Sequence, residues 1–162
     1  MVVMVGFIGF FSACTAQLES NSEQDIRPMT GTIVKDTLRD GLGELTIIND
    51  NSKMDAFAVL TDSQKEPLIK VFIRAGESFK ISGIVDGSYD MYFRLGNRWR
   101  QDGSRFDEDE VRYKLDRALP FETISMMDGI SYSTWTVALQ EAVPNANEAM
   151  SKIPVSEEEF PG

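Results

Sequence analysis

Ser78–Ile84 (SFKISGI) and Ser88–Leu95 (SYDMYFRL), on either side of Asp86-Gly87, decide the fold class. In the second run Tyr89, Met91, Phe93 and Leu95 fall on one side, and Ser88, Asp90 and Arg94 on the other. In the first run Phe79 and Ile81 share a face. Side chains alternate across a strand with period two. One apolar and one polar face is therefore the pattern of an antiparallel sheet covering a core. Asp-Gly between such runs is a strong short turn signal.

The same pattern extends towards the N-terminus. Leu68–Ala75 (LIKVFIRA) sets Ile69, Val71 and Ile73 against Leu68, Lys70, Phe72 and Arg74. Ala56–Thr61 (AFAVLT) alternates weakly, and Gly43–Asn49 (GELTIIN) is a third short run. Polar turn clusters separate them, at Asn49–Ser52, Asp62–Pro67 and Gly76-Glu77, where Asn, Asp and Gly tolerate unusual backbone angles. Towards the C-terminus, Val111–Tyr113 and Leu119–Ile124 are short candidate strands. Tyr132–Val143 (YSTWTVALQEAV) is a clearer one, with Trp135, Val137 and Leu139 on one face. No long stretch of period 3.6 intervenes. The expected fold is all-β: a single antiparallel β-sandwich of about seven to eight strands over residues 42–143. A flexible linker over 14–41 and an acidic tail over 144–162, with Glu157, Glu158 and Glu159, are expected to flank it.

Met1–Cys14 (MVVMVGFIGFFSAC) has a different character. It is almost wholly apolar, and the first charge is Glu19. The run is too short to span a bilayer, which takes about 20 apolar residues, but it suits the core of an export signal. Phe11-Ser12-Ala13 before Cys14 resembles the lipobox of bacterial lipoproteins, with Phe11 where that motif usually has Leu. In that family the cysteine is acylated and becomes the new N-terminus. The resemblance implies a signal peptide over 1–13, lipid attachment at Cys14, and a location outside the cytoplasm on a membrane, periplasmic or at the outer cell surface.

Composition narrows the chemistry. The 162 residues carry a net charge of −10, and residues 1–13 contribute none of it. Nucleic acid and anionic lipid surfaces both require basic patches, so neither is an expected partner. The sequence contains no histidine, which removes Ser-His-Asp and Cys-His catalysis and any His-containing zinc site. Cys14 is the single cysteine, so no intramolecular disulfide can form. No cofactor or metal site is expected.

The order of motifs between about residues 43 and 160 is similar to an uncharacterised bacterial β-domain. That family occurs alone in small exported proteins or appended to J-domain and protein-kinase-like chains. The matching positions include Leu45, Ile47 and Asn49, then Phe72–Ala75, then Ile84, Gly87 and Tyr89. These last three match a stretch that usually reads Ile-Pro-x-Gly-x-Tyr, and Val85-Asp86 stand where the family usually has Pro. Phe93, Gly96, Trp99 and Phe106 follow, with Trp135–Leu139 and Ile153–Phe160 at the end. The resemblance implies a compact β-module and carries no known active site to transfer.

Two clusters carry candidate chemistry. Arg94, Arg98, Arg100 and Arg105 surround Trp99, within or beside an expected irregular loop over residues 96–110. Arginine forks with an indole between them suit a phosphate or glycan, and this loop is the expected contact surface. The competing reading has Trp99 capping the core and the arginines pairing with Asp102 and the acidic run Asp107–Glu110. That run lacks the glycine and glutamate spacing of an EF-hand and reads as a solvated face. Asp86, Asp90, Asp102 and Glu122 would have to converge to act as a hydrolase pair. No serine lies in a Gly-x-Ser-x-Gly elbow. The expected function is non-catalytic binding of an envelope protein or surface polysaccharide. A carbohydrate-binding module and a carboxylate hydrolase are the rivals. Burial of Trp99 and convergence of the carboxylates separate the three.

Overall fold

The computed structural model describes residues 27–37, 39–100, 102, 105–139 and 150–162. Cys14 and residues 1–13 lie outside the described residues. The described residues form strands and connections, with no helix. In chain order the strands are β1 (Thr32–Asp36), β2 (Gly43–Ile48), β3 (Asp55–Thr61), β4 (Pro67–Ile73), β5 (Ser78–Ile84), β6 (Gly87–Trp99), β7 (Phe106–Leu115), β8 (Leu119–Phe121), β9 (Thr123–Met126), β10 (Gly129–Tyr132), β11 (Thr134–Ala138) and β12 (Lys152–Pro154).

The large sheet runs β1-β4-β3-β6-β7-β12, with β8 paired to the start of β6. The small sheet runs β11-β2-β5, where β11 lies parallel to β2 and β5 antiparallel to it. β9 and β10 form a separate hairpin. The fold is thus an all-β, mainly antiparallel sandwich. The count exceeds seven to eight because short strands, such as three-residue β8 and β12, add to the long ones.

The period-two faces fall where the alternation puts them. Ile69, Val71 and Ile73 of β4 meet Tyr89, Met91, Phe93 and Leu95 of β6 in one core with Leu45, Ile47, Ile81 and Val137 of the small sheet. Asp86-Gly87 makes a corner between sheets, because β5 pairs with β2 and β6 with β3. The Tyr89 hydroxyl donates to the Val85 carbonyl at 3.0 Å, pinning that corner.

The outer face of the large sheet is also covered. Phe57 and Val59 of β3, Phe72 of β4, Tyr92 of β6, Trp99, Phe106 and Phe160 form a second buried cluster there. This explains the weak alternation of β3: both faces are buried, so both are apolar.

Three expectations on boundaries change. The expected loop 96–110 is a β-hairpin: β6 runs through to Trp99, β7 starts at Phe106, and Trp99 pairs with Phe106. The expected strand Tyr132–Val143 is broken at Ser133, whose main chain bonds Glu122 and Glu44, and Val143 lies outside the described residues. The sheet also reaches past both ends of 42–143. Its edges are β1, paired with β4, and β12, paired with β7. Short polar segments such as Lys152–Pro154 show little apolar period, and their place comes from main-chain pairing with a strand remote in sequence.

Candidate functional site

Gly96 allows the β6–β7 hairpin to form. A Cβ there would lie 2.6 Å from the Phe106 Cβ, so only glycine lets the two strands approach. The register shifts between Leu95 and Asn97, and Arg98 adopts a left-handed backbone at φ 55°. The bulge increases local twist and turns the hairpin end back over the outer face. Trp99 is only 8% exposed. Its ring centroid lies 4.7 Å from Phe57, 4.8 Å from Phe106 and 5.4 Å from Phe72. The indole is packing, and it presents no stacking surface to a sugar.

The surrounding arginines are drawn into ion pairs. Arg98 meets Glu108 at 2.9 Å, Arg100 meets Asp102 at 3.2 Å and Asp107 at 3.5 Å, and Arg105 meets Glu157 at 3.4 Å. Asp109 accepts from Asn97 Nδ2 at 3.2 Å. The whole acidic run is therefore engaged along β7, because cross-strand pairs place it opposite the basic end of β6.

Arg94 differs from the others. It points to the outer face, as the alternation requires, but that face is the second core. Its side chain is 9% exposed, and its Cζ lies 4.0 Å from the centre of the Phe160 ring. Arg94 Nη1 reaches both oxygens of Glu110 at 3.4 Å. The shorter contacts of Glu110 go elsewhere. The Phe106 amide donates to it at 2.7 Å, and Arg112 Nε lies 2.7 Å away without hydrogen-bond alignment. Arg94 Nε has no acceptor. Burial pushes the Arg94 guanidinium below its ordinary value, with Glu110 opposing the shift.

Three of the five candidate residues converge. Arg94, Arg100 and Arg105 line a groove of about 550 Å³ on the outer face with Lys70, Phe57 and Phe160. Lys70 was legible only as a polar residue on the solvent side of β4. Arg98 and Trp99 border a different, smaller groove beside Asp55.

Three of the four hydrolase carboxylates are engaged in separate places. Asp86 accepts from the amide and hydroxyl of Thr123, Asp90 pairs with Lys114 at 2.9 Å, and Asp102 pairs with Arg100. Among the described residues no group of three or more acidic or thiol side chains is placed to hold a metal ion.

A second surface lies on the β9–β10 hairpin. Ile124, Met126, Met127, Ile130 and Tyr132 are all exposed, Met127 completely so. Cross-strand pairing puts Met126 opposite Gly129 and Ile130 opposite Ser125. Paired residues share a face, so Ile124 and Met126 lie on one side, and Ile130 and Tyr132 on the other. The sequence signal was present, as the adjacent Met126-Met127 and the apolar flanks, but period two cannot tell a buried strand from an unpartnered one. Comparison with protein-family models, with curated proteins and with solved structures returns no match to this chain.

Proposed function

We propose that this chain is an exported, lipid-anchored envelope protein whose β-sandwich is a non-catalytic binding module, with the β9–β10 hairpin as its contact surface. The apolar run ending at Cys14 supports the anchor. The observation that carries the binding reading is the hairpin. Five large apolar side chains within ten residues stay in water on both of its faces. Soluble domains rarely leave such a patch unless something covers it. The exposed set is aliphatic and thioether, with Tyr132 as its one ring. Sugars are held by stacked aromatic faces, so a protein of the envelope is favoured over a polysaccharide. The module-like family resemblance points the same way.

The test is affinity capture from native envelope extract, with the parent chain and an Ile124→Ser/Ile130→Ser variant as baits. Both positions are exposed, so the variant keeps its core. A protein held by the parent and lost by the variant supports the reading. Equal capture by both overturns it. Cys14→Ser should move the chain from the membrane to the soluble fraction. Unchanged fractionation removes the anchor from the proposal.

A further inference from the structure

We infer that Met126 and Met127, at the tip of the β9–β10 hairpin, form a reversible oxidation site, and that a peroxide converting their thioethers to sulfoxides releases the hairpin from its partner. The release rests on the hairpin being the contact surface proposed above; the oxidation site does not.

Composition leaves thioether sulfur as the group of this chain most open to a two-electron oxidant. The single thiol, Cys14, is the one that the proposed anchor consumes. Six methionines follow it, and the fold sorts them by access. Met91 is 1% exposed in the sandwich core, and Met54 and Met150 pack against that core. Met127 is completely exposed and Met126 is 53% exposed. Met126 lies opposite Gly129, which has no side chain, and even a Cβ at Gly129 would meet nothing within 4 Å. An oxidant therefore reaches both sulfurs without any local unfolding. Met29, which precedes β1 and lies outside the hairpin, is the other open thioether among the described residues.

The step balances with hydrogen peroxide as the oxidant. A sulfur lone pair attacks one peroxide oxygen, an S–O bond forms and the O–O bond breaks. The departing hydroxide takes the proton of the transferred oxygen and leaves as water. Sulfur loses two electrons and the peroxide gains them. A flexible apolar side chain thereby becomes a strong dipole and hydrogen-bond acceptor, and sulfoxide reductases reverse the change. Two of the five exposed apolar side chains of the hairpin turn polar. Burying them against an apolar partner then costs affinity, because their oxygens lose water without gaining a donor. Neither methionine belongs to the sandwich core, so the fold survives the change.

The test treats the whole chain with graded hydrogen peroxide, maps the added oxygen by peptide mass spectrometry, and uses the treated chain as bait in the envelope capture. A Met126→Leu/Met127→Leu variant is treated in parallel; leucine keeps the apolar volume and has no sulfur. Met126 and Met127 should each gain one oxygen about tenfold faster than Met91, or more. The treated parent should capture about tenfold less than the untreated parent, and methionine sulfoxide reductases with dithiothreitol should restore it. The treated leucine variant should capture as well as the same variant untreated, which sets Met29 aside. Oxidation of Met126 and Met127 no faster than that of Met91 overturns the site. Equal capture by treated and untreated parent overturns the release, and so does an equal loss in parent and leucine variant. Capture that Ile124→Ser/Ile130→Ser leaves undiminished overturns the contact reading instead; the release falls with it, and the oxidation map still decides the site.

Discussion

Arg27 closes a two-point fork on Asp55, with Nε donating to Oδ2 at 2.7 Å and Nη2 donating to Oδ1 at 2.6 Å. Asp55 is buried and also accepts from the Ala75 amide at 2.8 Å. One carboxylate therefore ties the chain before β1 to β3 and to the turn after β4. Arg27 lies inside the stretch expected to be a flexible linker, so the folded unit includes residues well before 42. Asp55→Ala should cost about 2–3 kcal/mol in chemical denaturation, since it leaves a buried amide unpaired and a cation without its fork. Arg27→Ala should cost less, because Asp55 keeps the Ala75 amide. An Asp55→Ala chain as stable as the parent would remove the fork from the account.

Trp99→Ala should unfold the outer-face cluster rather than strip a binding surface. Truncating a buried indole among three aromatic rings costs about 3–5 kcal/mol. Thermal unfolding reads the loss directly. A variant with the parent melting temperature would return Trp99 to the list of contact residues.

Gly96→Ala should destabilise by about 1–3 kcal/mol, because the added methyl must displace the Phe106 backbone or ring. Gly76→Ala is the contrasting case. A Cβ there meets nothing within 4 Å, but φ is +74°, so the cost is backbone strain of about 1 kcal/mol. Denaturation midpoints of the two variants separate clash from strain.

Lys70 titrates below the ordinary lysine value of 10.5, first because burial penalises its charge and then because Lys35 and Arg94 repel it. The folded chain thus binds fewer protons than the unfolded chain between that lowered value and 10.5. In that window the contribution of Lys70 to stability rises with pH. At neutral pH the residue is charged in both states and the fold carries the unfavourable burial. Lys70→Met should therefore be at least as stable as the parent at pH 7, with an advantage that shrinks as pH climbs towards 10.5. Paired denaturation curves across that range check the sign. An advantage that grew with pH would contradict it.

The core strands were legible because period two survives wherever one face is buried. Tyr89, Met91, Phe93 and Leu95 point inward as their spacing demands, and so do Ile69, Val71 and Ile73. The outer face misled for the same reason. Arg94 alternates out of the sandwich core as expected, yet it is covered, because the hairpin end and Phe160 fold over it. No local pattern announces a cover supplied by residue 160. The arginine cluster was likewise visible as a cluster, but its division into four paired residues and one groove depended on which carboxylates β7 brings across.

The sequence by itself determined that this chain builds antiparallel sheets, which faces of β4 and β6 form the core, and that histidine chemistry and an intramolecular disulfide are outside its reach. These follow from alternation and composition, which are local. Only the tertiary structure decided that Trp99 is buried, that Lys70 joins Arg94, and that the β9–β10 hairpin stays exposed. Those outcomes depend on pairing between segments far apart in the chain, where register and bulges, rather than residue type, set which side chains meet.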